Sequence, residues 1–369
     1  MHNIYVTRPE LPPLEALLPS LEEIWSSRVL SNGGVFHERF EAALTRHLGV
    51  AHLSLCTNAT IGLMLALRSL GLRGEVITSP FTFVATVQAI EWAGLTPVFA
   101  DIDPVTLNLD PRAVERVITP DTCAILPVHC YGHACDVDAL EAVAQAHGLK
   151  LVYDAAHAFG VRLRGRALAS WGDVSVLSFH ATKVFNTFEG GAIVARDAAT
   201  KSVIDRLKNF GIVDENHVEG IGLNGKMNEF CAALGLAQLD RVEAAIGQRA
   251  RIDARYREGL DGVPGLRLQH PWPGEEPNHA YFPVRVGPDY GESRDALQAR
   301  LKAHGIHARR YFCPLVSDLP GYRDRPQAAP QPLPVAREAA DQVLCLPIYP
   351  DLGAADQARI IDLLRHGRG

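Results

Sequence analysis

The sequence predicts an α/β protein: a large domain on a mostly parallel sheet, followed by a smaller α+β unit. Three observations carry this. The chain has 369 residues, and at ~150 residues per domain that is room for about two. Short apolar runs alternate with helical stretches from about residue 45 to 235, the pattern of parallel strands joined by right-handed crossovers. After that region the order changes to scattered strand and helix signals without the alternation.

The elements follow in order. After a proline-rich lead-in, 14–30 reads as an amphipathic helix, and HERFEAALTRHLG, 37–49, as a second one stopped by Gly49. AHLSL (51–55) is a strand, and TNATIGLMLALRSLGL a helix with apolar residues at helical period. EVITSP (75–80) and PVFADID (97–103) flank the helix FVATVQAIEWAG. AILPVHC (124–130), the helix DVDALEAVAQAHG, and LKLVYDAA (149–156) continue the alternation; VSVLSFH (174–180) and GAIVAR (191–196) complete it. One long helix is expected over 227–260, leading out of the large domain. HAYFPVRV (279–286) is then a strand and SRDALQARLKAHG a helix. A Pro-rich connection (326–334), AREAADQVLCLP and the helix AADQARIIDLLRHG finish the chain. The expected boundary divides a large domain, 1–240 with the N-terminal segment, from a small one, 241–369.

Composition removes several classes. Lys and Arg number 36 against 42 acids, a formal charge of −6, so the basic footprint of a nucleic-acid binder is missing. Seven cysteines are scattered through the chain; an odd, dispersed set is no secreted disulfide framework. The N-terminus lacks the basic and apolar regions of a signal peptide, and no apolar stretch approaches ~18 residues. A cytoplasmic protein with no membrane partner is expected.

Two motifs mislead. Gly220-Ile-Gly222-Leu-Asn-Gly225-Lys226 fits G-x-G-x-x-G, but a dinucleotide fold needs an apolar strand directly before it, and IVDENHVE stands there. Met227 occupies the place where a P-loop needs Ser or Thr. The run reads as a turn leading into a helix. His129, Cys130, His133 and Cys135 crowd together, yet they lack C-x₂-C spacing and a second half, so no metal site is expected. Without a G-x-S-x-G elbow, a serine hydrolase has no nucleophile to nominate.

The chemistry concentrates elsewhere. VYDAAHAFG (152–160) sets Asp154 at the C-terminal end of an apolar strand, the active edge of an α/β sheet; capping the next helix is its structural alternative. SFHATKVFNTFEGGAIV then places Lys183 on a polar loop between two apolar strands. A lysine there is costly unless paired or used, and desolvation makes its neutral amine available as a nucleophile. An Asp to keep a pyridine nitrogen protonated and a Lys to hold an aldehyde are the two groups that pyridoxal phosphate needs.

On these residues, with LPVHCYG (126–132) before them and LPIYPDL (346–352) near the end, the chain resembles the DegT/StrS family of sugar-nucleotide aminotransferases. The likeness runs over nearly the whole sequence. It implies the aspartate-aminotransferase-like fold (type I), pyridoxal 5'-phosphate as cofactor with pyridoxamine phosphate as its intermediate form, and a homodimer sharing its active sites. The wording around Lys183 points to the members that make dTDP-4-amino-4,6-dideoxyglucose. The implied reaction moves an amino group from glutamate to a 4-keto-6-deoxy sugar nucleotide. Amination at C3 and a noncatalytic regulatory role are the alternatives within the family; its dehydratases, which replace the lysine with His, are disfavoured by Lys183.

Carried over position by position, the resemblance makes Lys183 the Schiff-base lysine and proton carrier, and Asp154 the partner of the pyridinium nitrogen. His157 stands near the phenolic oxygen where many relatives have Gln. Phe83 falls where an aromatic stacks on the ring, with core packing as its simpler reading. For the phosphate the resemblance implies Ala59, Thr60 and Ser178, with Asn224 reaching in from the neighbouring subunit. His180 and Glu189 flank the lysine and are assigned to cofactor and substrate respectively. Lys226, Arg309 or Arg310 would meet the diphosphate, and His307, Arg309 and Tyr311 the sugar.

Overall fold

The computed structural model describes residues 2–325 and 328–366; the first two residues of the Pro-rich connection lie outside the described residues. In chain order, a short strand β1 (Ile4–Tyr5) precedes helices α1 (Leu14–Ser27) and α2 (Val35–Leu48). The alternating region follows as β2 (Leu53–Cys56), α3 (Ala59–Ser69), β3 (Glu75–Thr78), α4 (Val84–Trp92), β4 (Thr96–Phe99), α5 (Pro111–Glu115), β5 (Thr122–Leu126), α6 (Val137–His147) and β6 (Lys150–Asp154). A small hairpin, β7 (Arg162–Leu163) and β8 (Arg166–Ala167), leads to β9 (Val174–Ser178), β10 (Gly191–Ala195) and α7 (Ala198–Leu207).

These strands form one seven-stranded sheet in the order β2-β10-β9-β6-β5-β3-β4. Only β10 runs against its neighbours; the pairs from β9 to β4 are all parallel. Parallel sheets must be covered on both faces, and this one is. One face lies under a core containing Phe40, Phe159, Phe179 and Phe185. Against the other pack Leu63, Ala66 and Ile90 of α3 and α4, meeting Val176 and Ile193. That double burial is why the strand segments read as unbroken apolar runs.

The expected helix over 227–260 is two. An exposed hairpin, β11 (Ile212–Asp214) and β12 (His217–Val218), comes first; then α8 (Glu229–Leu239) and α9 (Val242–Leu260) are separated at Asp240 and Arg241. The physical reason is that the two pieces serve different cores. α8 contributes Ala232, Ala233 and Leu234 to the core under the main sheet, whereas α9 contributes Ile252, Tyr256 and Leu260 to a second core. A single straight axis does not reach both.

The elements that follow are β13 (Leu266–Leu268), β14 (Glu275–Glu276), β15 (Phe282–Val286), α10 (Arg294–Ala303), β16 (Ile306–His307), α11 (Pro334–Gln342), β17 (Val343–Leu346) and α12 (Ala354–His366); β13, β15, α10, β16, β17 and α12 supply the second core, whereas Ala336, Ala339 and Ala340 of α11 pack with Phe81, Tyr131 and Phe312. β13, β15 and β17 form an antiparallel sheet, and β14 leaves the unit to pair with β7. β1 pairs in parallel with β16, and Ile4 is buried in the second core, so the residues ahead of α1 join the C-terminal half while α1 itself packs on α8. We propose the domain boundary at the break near residue 240, with β1 as the strand that crosses it. Among the described residues no helix is long and apolar enough to cross a membrane.

Candidate active site

Asp154 ends β6 at the edge of the sheet where β2 and β9 also end, because Gly191 at the start of β10 pairs with both Cys56 and Ser178. The carboxylate is 6% exposed. Thr86 Oγ1 donates to its Oδ2 at 2.8 Å and the Ala156 amide to its Oδ1 at 3.0 Å. Burial pushes the Asp154 carboxyl above its ordinary range; the two hydrogen bonds and the charge of Lys183 pull the other way and are outweighed. Among the described residues no cation forms an ion pair with it. Asp154 is therefore a buried acid that feels the charge of Lys183 but makes no direct ion pair among the described residues, and a charged N–H group seated beside it would supply one.

Lys183 lies on the loop between β9 and β10, in a turn closed by its own amide donating to the His180 carbonyl at 2.9 Å. Its side chain is part-buried, and its amine stands 3.4 Å from the Tyr281 hydroxyl. Desolvation lowers the amine's pKa to about 8 against the opposing pull of Asp154. The neutral fraction at pH 7 rises by roughly two to three orders of magnitude over a free lysine.

His157 is buried, and its Nδ1 accepts the Tyr131 amide at 3.2 Å. That bond leaves the ring proton on Nε2, which makes Nε2–H a donor. Burial and the charge of Lys183 hold the imidazole neutral, far below its usual pKa. Its ring lies parallel to Phe312 at 6.1 Å and 4.7 Å from Tyr281.

Beside these groups is an anion-ready corner. Asn58 caps α3, its side chain accepting from the Ile61 amide at 2.9 Å while its carbonyl accepts from Gly62. The amides of Ala59 and Thr60 find no acceptor among the described residues, so two free N–H groups and the helix dipole face outward there. Gly191 brings β10 close: a Cβ at Gly191 would lie 3.1 Å from the Ala59 nitrogen and 2.8 Å from the Leu177 carbonyl. Ser178, the ladder partner of Gly191, is thereby set next to that helix start.

The remaining predicted residues divide. Phe83 does not pack in the core: it is 60% exposed, one turn ahead of Thr86 at the start of α4, because the chain enters the helix there with the ring facing out. His180 is exposed, bonded to Thr182 Oγ1 at 2.9 Å and 3.6 Å from Glu189, itself largely exposed. Asn224 is exposed on a loop whose Gly225 carbonyl accepts the Thr57 amide at 2.8 Å, just before α3. Lys226 is engaged by Asn209 at 2.6 Å and lies over the Phe210 ring.

In the C-terminal half, Tyr311 reaches the site through Tyr281, ring to ring at 5.7 Å. His307 is stacked on Tyr5 at 4.8 Å, since β1 pairs directly against it. Arg310 turns to Asp295 at 3.2 Å, whereas the exposed Arg309 takes no carboxylate partner among the described residues. Four residues were missed altogether: Thr86, Tyr131, Tyr281 and Phe312. Each lies far from Lys183 in sequence and carries no local signature, so only packing reveals it.

The crowded His/Cys run is occupied by its own fold. His133 Nδ1 meets Glu275 at 2.7 Å, His129 Nδ1 accepts the Cys135 amide at 3.1 Å, and the Cys135 thiol donates to the Val128 carbonyl at 3.2 Å. A cavity of about 510 Å³ lined by Arg162, Arg166, Trp171 and Arg196 lies at the opposite end of the sheet and takes no part in this site.

Comparison with known proteins agrees with this geometry. The chain is 47% identical over 366 residues to the dTDP-4-amino-4,6-dideoxy-D-glucose transaminase of Escherichia coli, covering 98% of each. It is 47% identical over 362 residues to the enzyme so named in Shigella dysenteriae, again covering 98% of each. Among solved structures, DesI in the presence of its TDP-sugar product superposes with a TM-score of 0.95 at 42% identity, over 100% of this chain and 94% of that one. Residues 15–365 match the DegT/DnrJ/EryC1/StrS aminotransferase family. The fold is the aspartate-aminotransferase-like one, and the buried acid Asp154 and the desolvated Lys183 lie at the edge where β6 and β9 end. By full-length similarity and by fold, this chain is a member of the DegT/DnrJ/EryC1/StrS aminotransferase family.

Proposed function

We propose that the protein transfers the amino group of glutamate to C4 of a 4-keto-6-deoxy sugar nucleotide, dTDP-linked, using pyridoxal phosphate. The observation that carries this is the presence at one sheet edge of Asp154, a buried acid held by Thr86 and Ala156 without a direct ion pair, together with Lys183, an amine lowered to about 8. The donor set fits the cofactor part by part. Asp154 would hold the protonated ring nitrogen and His157 Nε2–H the phenolic oxygen. Phe83 would lie against the ring, with Ala59, Thr60, Ser178 and a partner's Asn224 at the phosphate. When bound, pyridoxal phosphate supplies the electron sink that lets an amine be exchanged for a ketone.

The protein's own part is charge, position and proton. Asp154 stabilises positive charge at the far end of the ring, held in line by Thr86 and Ala156. Lys183 Nζ, as the neutral amine, takes the donor's α-proton and in the second half-reaction returns a proton to C4 of the sugar. Tyr311 and Arg309 approach from the C-terminal half and serve the sugar and the diphosphate.

The test is an absorption spectrum before and after glutamate, followed by borohydride reduction and peptide mapping. The expected result is a visible band that bleaches with glutamate and a reduced adduct on Lys183. Screening dTDP-, UDP- and GDP-linked keto sugars should then give amine at C4 of the dTDP substrate; amine at C3 overturns the regiochemistry.

A homodimer completes the site in this reading. Trp25 is 71% exposed and Ile221 81%, and Phe188 stacks on Phe230 at 5.6 Å with both rings partly in solvent. Exposed apolar groups on α1, α8, the β9–β10 loop and the segment after β12 need covering, and a second copy carrying Asn224 supplies the cover. Ile221→Asp combined with Phe230→Asp should raise the dimer dissociation constant by at least ~100-fold. Sedimentation reads this directly, and retained dimer at low micromolar protein contradicts it.

A further inference from the structure

Tyr281 belongs to the C-terminal half, one residue before β15, yet its hydroxyl is the hydrogen-bond partner of Lys183 Nζ at 3.4 Å. Two devices fix it there. On one side Asn278, 1% exposed, donates through Nδ2 to the carbonyls of His157 at 2.7 Å and Phe159 at 2.8 Å, and its Oδ1 accepts the Ala280 amide at 3.0 Å. On the other Arg249, 3% exposed, donates through Nη1 to the carbonyls of Ile348 at 2.9 Å and Ala280 at 3.4 Å.

Arg249 is an expensive device. Its Nε has no acceptor, and no carboxylate pairs with it among the described residues. Burying a guanidinium without a counter-charge is unfavourable, and what it achieves here is to hold the backbone on which Tyr281 is mounted. The phenol is enclosed by His157, Tyr131 and Tyr311, at ring distances of 4.7, 5.8 and 5.7 Å. Burial pushes its pKa up, so it stays a neutral hydroxyl able to accept one hydrogen bond and donate another.

We propose that Tyr281 is a positioning residue for Lys183: whenever the lysine amine is free, the Tyr281 hydroxyl receives it and selects one arrangement of its long side chain. This rests on the reading of Lys183 as the reacting amine. It gives the C-terminal half a role at the centre of the chemistry, because the amine's resting place depends on how β15 is docked against the His157 segment. A lysine with four methylenes has many rotamers to lose, and a fixed acceptor at its end removes that search before each proton transfer.

The test is Tyr281→Phe, read on cofactor-free protein by acetic anhydride labelling of Lys183 across pH 6 to 10, quantified by peptide mass mapping. An acceptor for the ammonium favours the charged form, so its loss is expected to move half-labelling of Lys183 down by about half a pH unit or more. In the loaded enzyme kcat should fall ~10–100-fold while KM for the keto sugar stays within about threefold. A purely structural role would lower the thermal midpoint and leave the labelling curve in place; that result overturns the proposal. Should Tyr281→Phe fail to fold, 3-fluorotyrosine at 281, a weaker acceptor, must move the curve in the same direction, and an unmoved curve is again fatal. The labelling arm needs no cofactor. Failure of wild type to attach pyridoxal phosphate at Lys183 would therefore count against the functional reading alone.

Discussion

Lys183→Ala is expected to abolish turnover, by at least ~10⁴-fold, and to leave the protein folded. The rate falls because no other amine in the site can take the α-proton: Lys226 is engaged by Asn209, and the neighbouring His180 is exposed and bonded to Thr182. The fold survives because the Lys183 side chain makes a single hydrogen bond among the described residues, to Tyr281 at 3.4 Å, and its removal takes a part-buried charge out of a low-dielectric site. Activity with glutamate and the keto sugar, together with a thermal melt, checks both halves. Retained turnover above a few per cent of wild type would remove Lys183 from the mechanism.

Asp154→Asn should lower kcat by ~10²–10³-fold, the scale on which a single preorganised electrostatic partner contributes. The amide keeps the shape: its oxygen can accept from the Ala156 amide, while its NH2 donates to a Thr86 hydroxyl turned toward Thr82, but it offers no negative charge to a protonated ring nitrogen. Stability should move the other way. In the cofactor-free protein the Asp154 carboxyl is raised above its unfolded value of 3.8. Between that value and the raised one the folded state binds more protons than the unfolded state. The contribution of Asp154 to stability is thus present in full below 3.8 and is lost as pH rises through the folded pKa. At pH 7.5 the cofactor-free Asn variant is expected to melt at or above the wild-type temperature. A near-wild-type rate would leave Asp154 a structural role only, and a lower melting temperature would contradict its lack of a direct ion pair.

The two halves of this site differ in how they are written into the chain. Asp154 ends the buried strand β6 and Lys183 lies on the loop between the buried strands β9 and β10, and a polar residue at such a boundary is visible by contrast with what flanks it. The first turn of α3 was pointed to by the family resemblance, and the structure adds why an anion would suit it: the Ala59 and Thr60 amides find no acceptor among the described residues. The sheet itself was legible because double burial forces apolar runs, and runs alternating with helices permit little besides parallel order. The break between α8 and α9 was not legible. Apolar and amphipathic helix share the same propensity signals, and only tertiary packing shows that the two pieces, interrupted at Asp240 and Arg241, serve separate cores.

Long-range juxtaposition is where the sequence falls silent. Tyr281 meets Lys183 because Asn278 ties its segment to the His157 carbonyl and Arg249 grips the Ala280 carbonyl; none of those contacts has a local spacing. His307 looked like a substrate ligand until β1 was seen to lay Tyr5 across it. Phe83 had two readings, a ring stacked on a cofactor or a core residue, and the start of α4 turns it outward, away from the core. The sequence by itself determined the fold class and pointed to Asp154 and Lys183 as the candidate pair, since both follow from local patterns of burial and charge. Tertiary structure alone decided which distant side chains meet that pair, because such contacts are set by how two cores dock.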